Sequence, residues 1–300
     1  MNWIIVTIFG AFFQNLRSSL QKKLNKDLST VASTYVRFVF ALPFASLLFF
    51  LYFKNLEIIN EIISQTNFLY YLILASVFQI IFTFVLLYLF KFSNFVVGTS
   101  LSKTEVIQVA IFEYFILKDK LNILGITGII IATLGVIIMT IKDLKLFFNN
   151  FFSKTTLIGL VSGLFLGLSV VYFRAAALSL ENFSSNFEKA LSTLFLGLVI
   201  QTVIITIYLL IFERSEFKKL YNNKLESCLA GFAGFMATMS WFYAFTLMQA
   251  SFIRALGQIE IFFSYLSSKY LFKEKPKFSE ILGIIIFASG VMLMLITKVD

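Results

Sequence analysis

Ionisable residues stand inside two long apolar stretches of this chain: Lys103, Glu105 and Glu113 between Val96 and Leu117, and Arg254 and Glu260 between Ser251 and Phe272. A charge in an apolar run long enough to cross a bilayer is expensive, and such a residue is a functional candidate by default. Lys103 and Glu105 are two apart, so on a helix they point to different sides and cannot neutralise each other within it. Helical spacing puts Thr99 and Lys103 on one face, with Glu105 and Gln108 on another. In the second stretch Arg254 and Gln258 share a face, and Glu260 lies on a different one with Ser264 and Ser267. One face of each stretch therefore offers a cation beside an uncharged hydrogen-bonding group, a combination suited to receiving an anionic group. Glu105 and Glu260 have two readings: they carry protons, or they form ion pairs between helices. Arg17, Arg37 and Arg174 lie near the ends of apolar runs and read as interfacial anchors whose stems lie along the apolar phase. Glu113 is placed to pair with Arg37 or Arg174. Tyr88, Trp241 and Tyr243 are candidates to line a cavity with the cationic faces.

Composition removes other chemistries. Histidine is absent and Cys228 is the one cysteine. That excludes a His/Cys metal site, a Cys-X-X-Cys redox pair, an intramolecular disulfide and Ser-His or Cys-His nucleophile pairs. No G-x-x-x-x-G-K-[ST] loop occurs, so the sequence carries no P-loop for ATP. No metal or cofactor is expected. The net charge of +9 reads as basic loops against anionic lipid rather than as a nucleic-acid surface.

The elements that position these residues are written twice. Leu86–Ile141 falls on Trp241–Ile296 without a gap. Tyr88 lands on Tyr243, Glu105 on Glu260, Lys118-Asp119-Lys120 on Lys273-Glu274-Lys275, Gly128 on Gly283 and Gly135 on Gly290. Apolar matches arise easily by chance; the charged trio, the glycines and the glutamate do not, and they identify an internal duplication. Val96–Leu117 is about 22 residues, enough to cross a hydrocarbon core of about 30 Å. With 59% hydrophobic and 14% charged residues, the chain reads as an all-α, multi-pass membrane protein.

Ten spans are expected: Trp3–Leu24, Val31–Phe53, Phe68–Phe90, Val96–Leu117, Leu121–Ile141, Thr156–Leu180, Phe187–Phe212, Leu229–Leu247, Ser251–Phe272 and Phe278–Ile296. The polar linker Lys142–Lys154 divides them into halves 1–148 and 149–300. Five spans per half is odd, so two halves of the same order must cross in opposite senses, an inverted repeat with its site at the interface. Pro43 predicts a kink in the second span. Gly159, Gly163 and Gly167, and Gly231, Gly234 and Ala237, predict close helix contacts. The fifth and tenth spans, nearly free of charge, are expected to face lipid or to brace the repeat. Basic residues number 14 in and beside the odd-numbered loops against 5 in and beside the even-numbered loops and termini, which places the odd loops in the cytoplasm and both termini outside.

Tyr35-Val36-Arg37-Phe38 followed by Ala41 resembles the second-helix pattern of the drug/metabolite transporter superfamily, EamA type. Phe115-Ile116-Leu117-Lys118-Asp119-Lys120 followed by Gly128 and Gly135 is similar to its fourth-to-fifth-helix signature, and Leu271-Phe272-Lys273-Glu274-Lys275 with Gly283 and Gly290 repeats it. Trp241-Phe242-Tyr243-Ala244-Phe245 and Ala255-Leu256-Gly257-Gln258-Ile259-Glu260 resemble members too. One departure is that Glu105 and Glu260 stand near where many members have a proline. The resemblance implies ten helices in two EamA repeats, movement of small metabolites, often amino acids, and termini on the cytoplasmic side, opposite to the charge count.

These readings converge on a secondary transporter in the cell (inner) membrane, a monomer or homodimer and not an enzyme. Its expected substrate is a small polar metabolite, amino-acid-like and carrying a carboxylate, moved down a gradient or by exchange. The alternatives are an exchanger of phosphorylated compounds such as sugar phosphates or nucleotide conjugates and, outside that class, a membrane-embedded enzyme, a lipid scramblase or a non-transporting structural partner.

Overall fold

The computed structural model describes residues 2–55, 57–92, 101–141, 149, 152–263 and 278–296, and every regular element among them is a helix. In chain order these are α1 (Asn2–Leu24), α2 (Thr30–Val39), α3 (Leu42–Phe53), α4 (Glu57–Ile63), α5 (Thr66–Leu89), α6 (Glu105–Phe112) and α7 (Ile123–Thr140). A π-helical turn, Glu113–Leu117, continues α6. The second half contributes α8 (Lys154–Ser179), α9 (Asn186–Phe212), α10 (Glu216–Asn222), α11 (Lys224–Leu247), α12 (Ala250–Gly257) and α13 (Phe278–Ile296). Thr99, Ser264, Ser267, the Lys273-Glu274-Lys275 loop and linker residues 142–148 lie outside the described residues.

Local chemistry sets the helix ends. Ser29, Asn122 and Ser153 each accept a backbone N–H from three residues on, starting α2, α7 and α8. Ser185 and Glu188 form a reciprocal capping box at α9. Lys54 and Lys118 adopt left-handed backbone, φ 54° and 59°, and stop α3 and the π turn. The expected kink at Pro43 is a full break: α2 ends at Val39 and α3 restarts with Pro43 in its first turn, where the missing N–H costs nothing.

Among the described residues six helical stretches are long and apolar enough to cross a membrane: Thr30–Phe53, Thr66–Leu89, Ile123–Thr140, Lys154–Ser179, Asn186–Phe212 and Lys224–Leu247. α1 has the length but carries Arg17, Lys22 and Lys23. The outer surface is apolar, with Leu51, Ile123, Ile207, Ile211 and Phe212 exposed, while Arg17, Arg37, Glu105, Glu113, Arg174 and Arg254 are buried. That reverses the soluble pattern and fits a lipid solvent.

The halves interlock reciprocally. α1 packs on α11 as α8 packs on α5; α1 meets α12 as α8 meets α6; α6 meets α12 and α2 meets α9. α7 and α13 pair closely through glycines. A Cβ on Gly128 would lie 2.8 Å from the Gly290 carbonyl, and one on Gly135 would lie 2.8 Å from the Gly283 carbonyl. The order reverses along the pair, so the two helices run antiparallel with their backbones in contact. The sequence expectation that they brace the repeat matches this pairing.

Candidate functional site

The buried charges meet where α6 and α12 cross. Glu105, in the first turn of α6, accepts from Arg254 through Nε at 3.2 Å and, more closely, through Nη2, and from Gln258 Nε2 at 3.2 Å. Glu260 pairs with Lys103 and accepts from Gln14 Nε2 of α1 at 2.7 Å. Glu105 and Glu260 correspond in the repeat, as do Lys103 and Gln258. Each glutamate therefore bonds the residue that lies two positions before its counterpart in the other half. Lys103 and Glu105 indeed do not meet within one helix; each finds its partner across the interface. The Arg254–Glu105 pair is almost completely buried.

Arg254 also stacks over Trp241, 4.8 Å from the ring centre. Gly257 makes room for that ring, since a Cβ there would come within 2.9 Å of Trp241 Cζ3. On the other flank α8 comes close because Gly163 lies against the Ser102 carbonyl and Gly167 against Phe112.

Beside the crossing is a cavity of about 260 Å³, lined among others by Gln14, Arg17, Lys103, Glu105, Arg254 and Glu260. Arg17 corrects the sequence expectation. It is 3% exposed rather than anchored at an interface, and its Nε and Nη1 have no hydrogen-bond partner among the described residues. Sequence reasoning missed it because Gln21-Lys22-Lys23 follow closely and make it look like the end of a span. The available signal was its match to Arg174: each arginine stands seven residues after a glycine, Gly10 or Gly167, in the first long helix of its half. Each also lies near the end of the third helix of a half, Arg17 sharing the cavity with Phe90 and Arg174 donating to the Phe245 carbonyl at 3.1 Å.

Arg37 and Arg174 are likewise buried rather than interfacial. Arg37 donates to Thr83 Oγ1 at 2.8 Å. It lies behind Arg17, with Gly234 between the Arg17 stem and the Arg37 carbonyl. Arg174 pairs with Glu113 at 3.0 Å and, more closely, with Asp119. Glu113 also accepts the Ala250 and Ser251 N–H groups, the latter at 2.9 Å, and so caps the start of α12. This knot stands at the end of the protein away from the Arg17 cavity, against a second cavity of about 390 Å³ lined by Asp119, Lys120, Asn122, Arg174, Gln249 and Phe252. Of the aromatic candidates, Trp241 lies under Arg254. Tyr88 is exposed and stacks with Phe84, and Tyr243 packs on Phe187 against the core; neither lines this cavity.

The arrangement can hold a small polar solute against fixed guanidinium, ammonium and amide donors at the interface of two interlocked halves. The fold is shared with a solved crystal structure that is 9% identical, with a TM-score of 0.72 over 99% of this chain and 98% of that one. No curated protein matches the sequence. The model of the EamA-like transporter family matches twice, over residues 1–141 and 153–296, one match for each interlocked half. On that double match, this chain belongs to the EamA-like transporter family.

Proposed function

We propose that this chain is a secondary transporter in the cell (inner) membrane, moving a small polar metabolite that carries a carboxylate, driven by a gradient or by exchange. Ten spans form two five-helix repeats, divided near residue 148 and oriented oppositely. The reciprocal packing and the antiparallel Gly128–Gly290 and Gly135–Gly283 contacts support that inversion. The observation that carries the reading is the cavity at the α6–α12 crossing. It is lined by Lys103, Arg254 and Arg17, while the Arg174–Glu113–Asp119 knot ties helices together at the other end. A polar cavity between two halves, with separable ion pairs at the other end, is an arrangement that alternating access can use.

Within the site, Lys103 and Arg254 supply positive charge, Gln258 and Trp241 hold Arg254 and Glu105 in place, and the glutamates set the scaffold. The test is purified protein in proteoliposomes with counterflow of a labelled metabolite panel. Accumulation of at least one carboxylate-bearing solute, competed by its unlabelled form, is the expected result. No counterflow of any solute, in vesicles where the protein remains folded, refutes transport.

A further inference from the structure

Both carboxylates at the cavity are already engaged, Glu105 by Arg254 and Gln258, and Glu260 by Lys103 and Gln14. Arg17 lines the same cavity, almost fully buried, with Nε and Nη1 meeting no acceptor among the described residues. Arg37 stands within electrostatic reach of Arg17 and Arg254 and bonds the neutral hydroxyl of Thr83. Among the described residues no carboxylate forms an ion pair with either arginine; Glu260 stands within electrostatic reach of Arg17 but is bonded to Lys103 and Gln14. Four cations therefore face two carboxylates, an excess of two positive charges in a site largely withdrawn from water. Buried donors without acceptors are costly, and a buried charge without a counter-charge costs more.

Arg174, the counterpart of Arg17, shows what such an arginine takes when satisfied: two carboxylates, Glu113 and Asp119, and the Phe245 carbonyl. At Arg17 the described residues supply none of that chemistry, and an anionic solute would supply it. A cationic solute would add to the excess. A neutral zwitterion would leave the excess of positive charge unchanged.

We propose that Arg17 is the anion anchor of this cavity and that the solute it holds is net negative, presenting an oxyanion group, carboxylate or phosphate, in excess of any amine charge it carries. A dicarboxylate, an acidic amino acid or a phosphate monoester satisfies this; alanine does not. The assignment concerns binding, and it rests on the transporter reading only for the release of the solute across the membrane.

The test is thermal unfolding of the full purified chain in micelles with succinate, L-glutamate, inorganic phosphate, L-alanine or putrescine, followed by counterflow in vesicles. Succinate, glutamate or phosphate should raise the midpoint of the natural chain by several degrees, as a ligand of the folded state does. A response to the first two alone assigns a carboxylate, and a response to phosphate alone assigns a phosphate. Arg17→Gln should melt higher than the natural chain without ligand, because it removes an unpaired buried cation, and should bind the anions at least tenfold more weakly. Arg17→Lys should keep part of the response, since charge survives and the planar fork does not.

A larger response to alanine or putrescine overturns the assignment. So does an undiminished anion response in Arg17→Gln, loss of folding in that variant, or silence of the natural chain toward all three anions. Anion binding through Arg17 without counterflow refutes transport and leaves the assignment standing. Alanine counterflow unaffected by Arg17→Gln does the reverse.

Discussion

Glu105 and Glu260 are one residue of the repeat met twice, and each is held by side chains of the opposite half. Removing a single partner from such a buried pair strands a charge. Arg254→Gln should destabilise the protein by about 3–5 kcal/mol, and Glu105→Gln should cost a comparable amount. The double substitution should cost less than the two together, with a coupling of about 0.5–3 kcal/mol. Thermal unfolding of the four chains in micelles measures this, and strictly additive costs would mean that the two side chains do not interact. The charged residues of this site were legible because ionisable groups are conspicuous in apolar runs. Their pairing was not, since Lys103 and Glu105 lie on different sides of one helix and their partners are some 150 residues away in sequence. Arg17 was read as an anchor because its surroundings in sequence, Lys22 and Lys23, resemble a span end; its burial comes from α11 and α12 folding over it.

At the scale of elements, α7 and α13 hold the two halves together through glycine. Gly135→Val forces a side chain against the Gly283 carbonyl and the backbone of Phe287, and should cost about 1–3 kcal/mol or more in unfolding experiments. Leu134→Ala, one residue away but exposed, should stay within about 0.5 kcal/mol. Equal effects of the two would mean that the helices do not pack through this face. The repeated glycines marked these helices in the sequence, because matched glycines rarely arise by chance in an apolar run. The break between α2 and α3 was legible at Pro43 only as a kink; its completeness depends on Phe40, which packs against Gly231 of α11, a contact that no local pattern records.

For the whole molecule, the excess of basic residues in the odd-numbered loops predicts that both termini face away from the cytoplasm. A C-terminal reporter active only in the cytoplasm should then stay silent, and a bright signal would reverse the orientation. The duplication and the all-helical fold were legible from composition and repeat alone. The way the halves interlock was not, because the sequence orders helices within a half, whereas the contacts exchange them: α1 with α11, and α8 with α5. The pairing of α7 with α13 has a further consequence. Gly128 touches Gly290, the copy of Gly135, and Gly135 touches Gly283, the copy of Gly128. Such an interface is isologous, the kind found across the two-fold axis of a homodimer, here enclosed within one polypeptide. The face that residues 123–140 present is therefore self-complementary. Two separate copies of the first half carry between them the same glycine contacts, with Gly128 of each meeting Gly135 of the other.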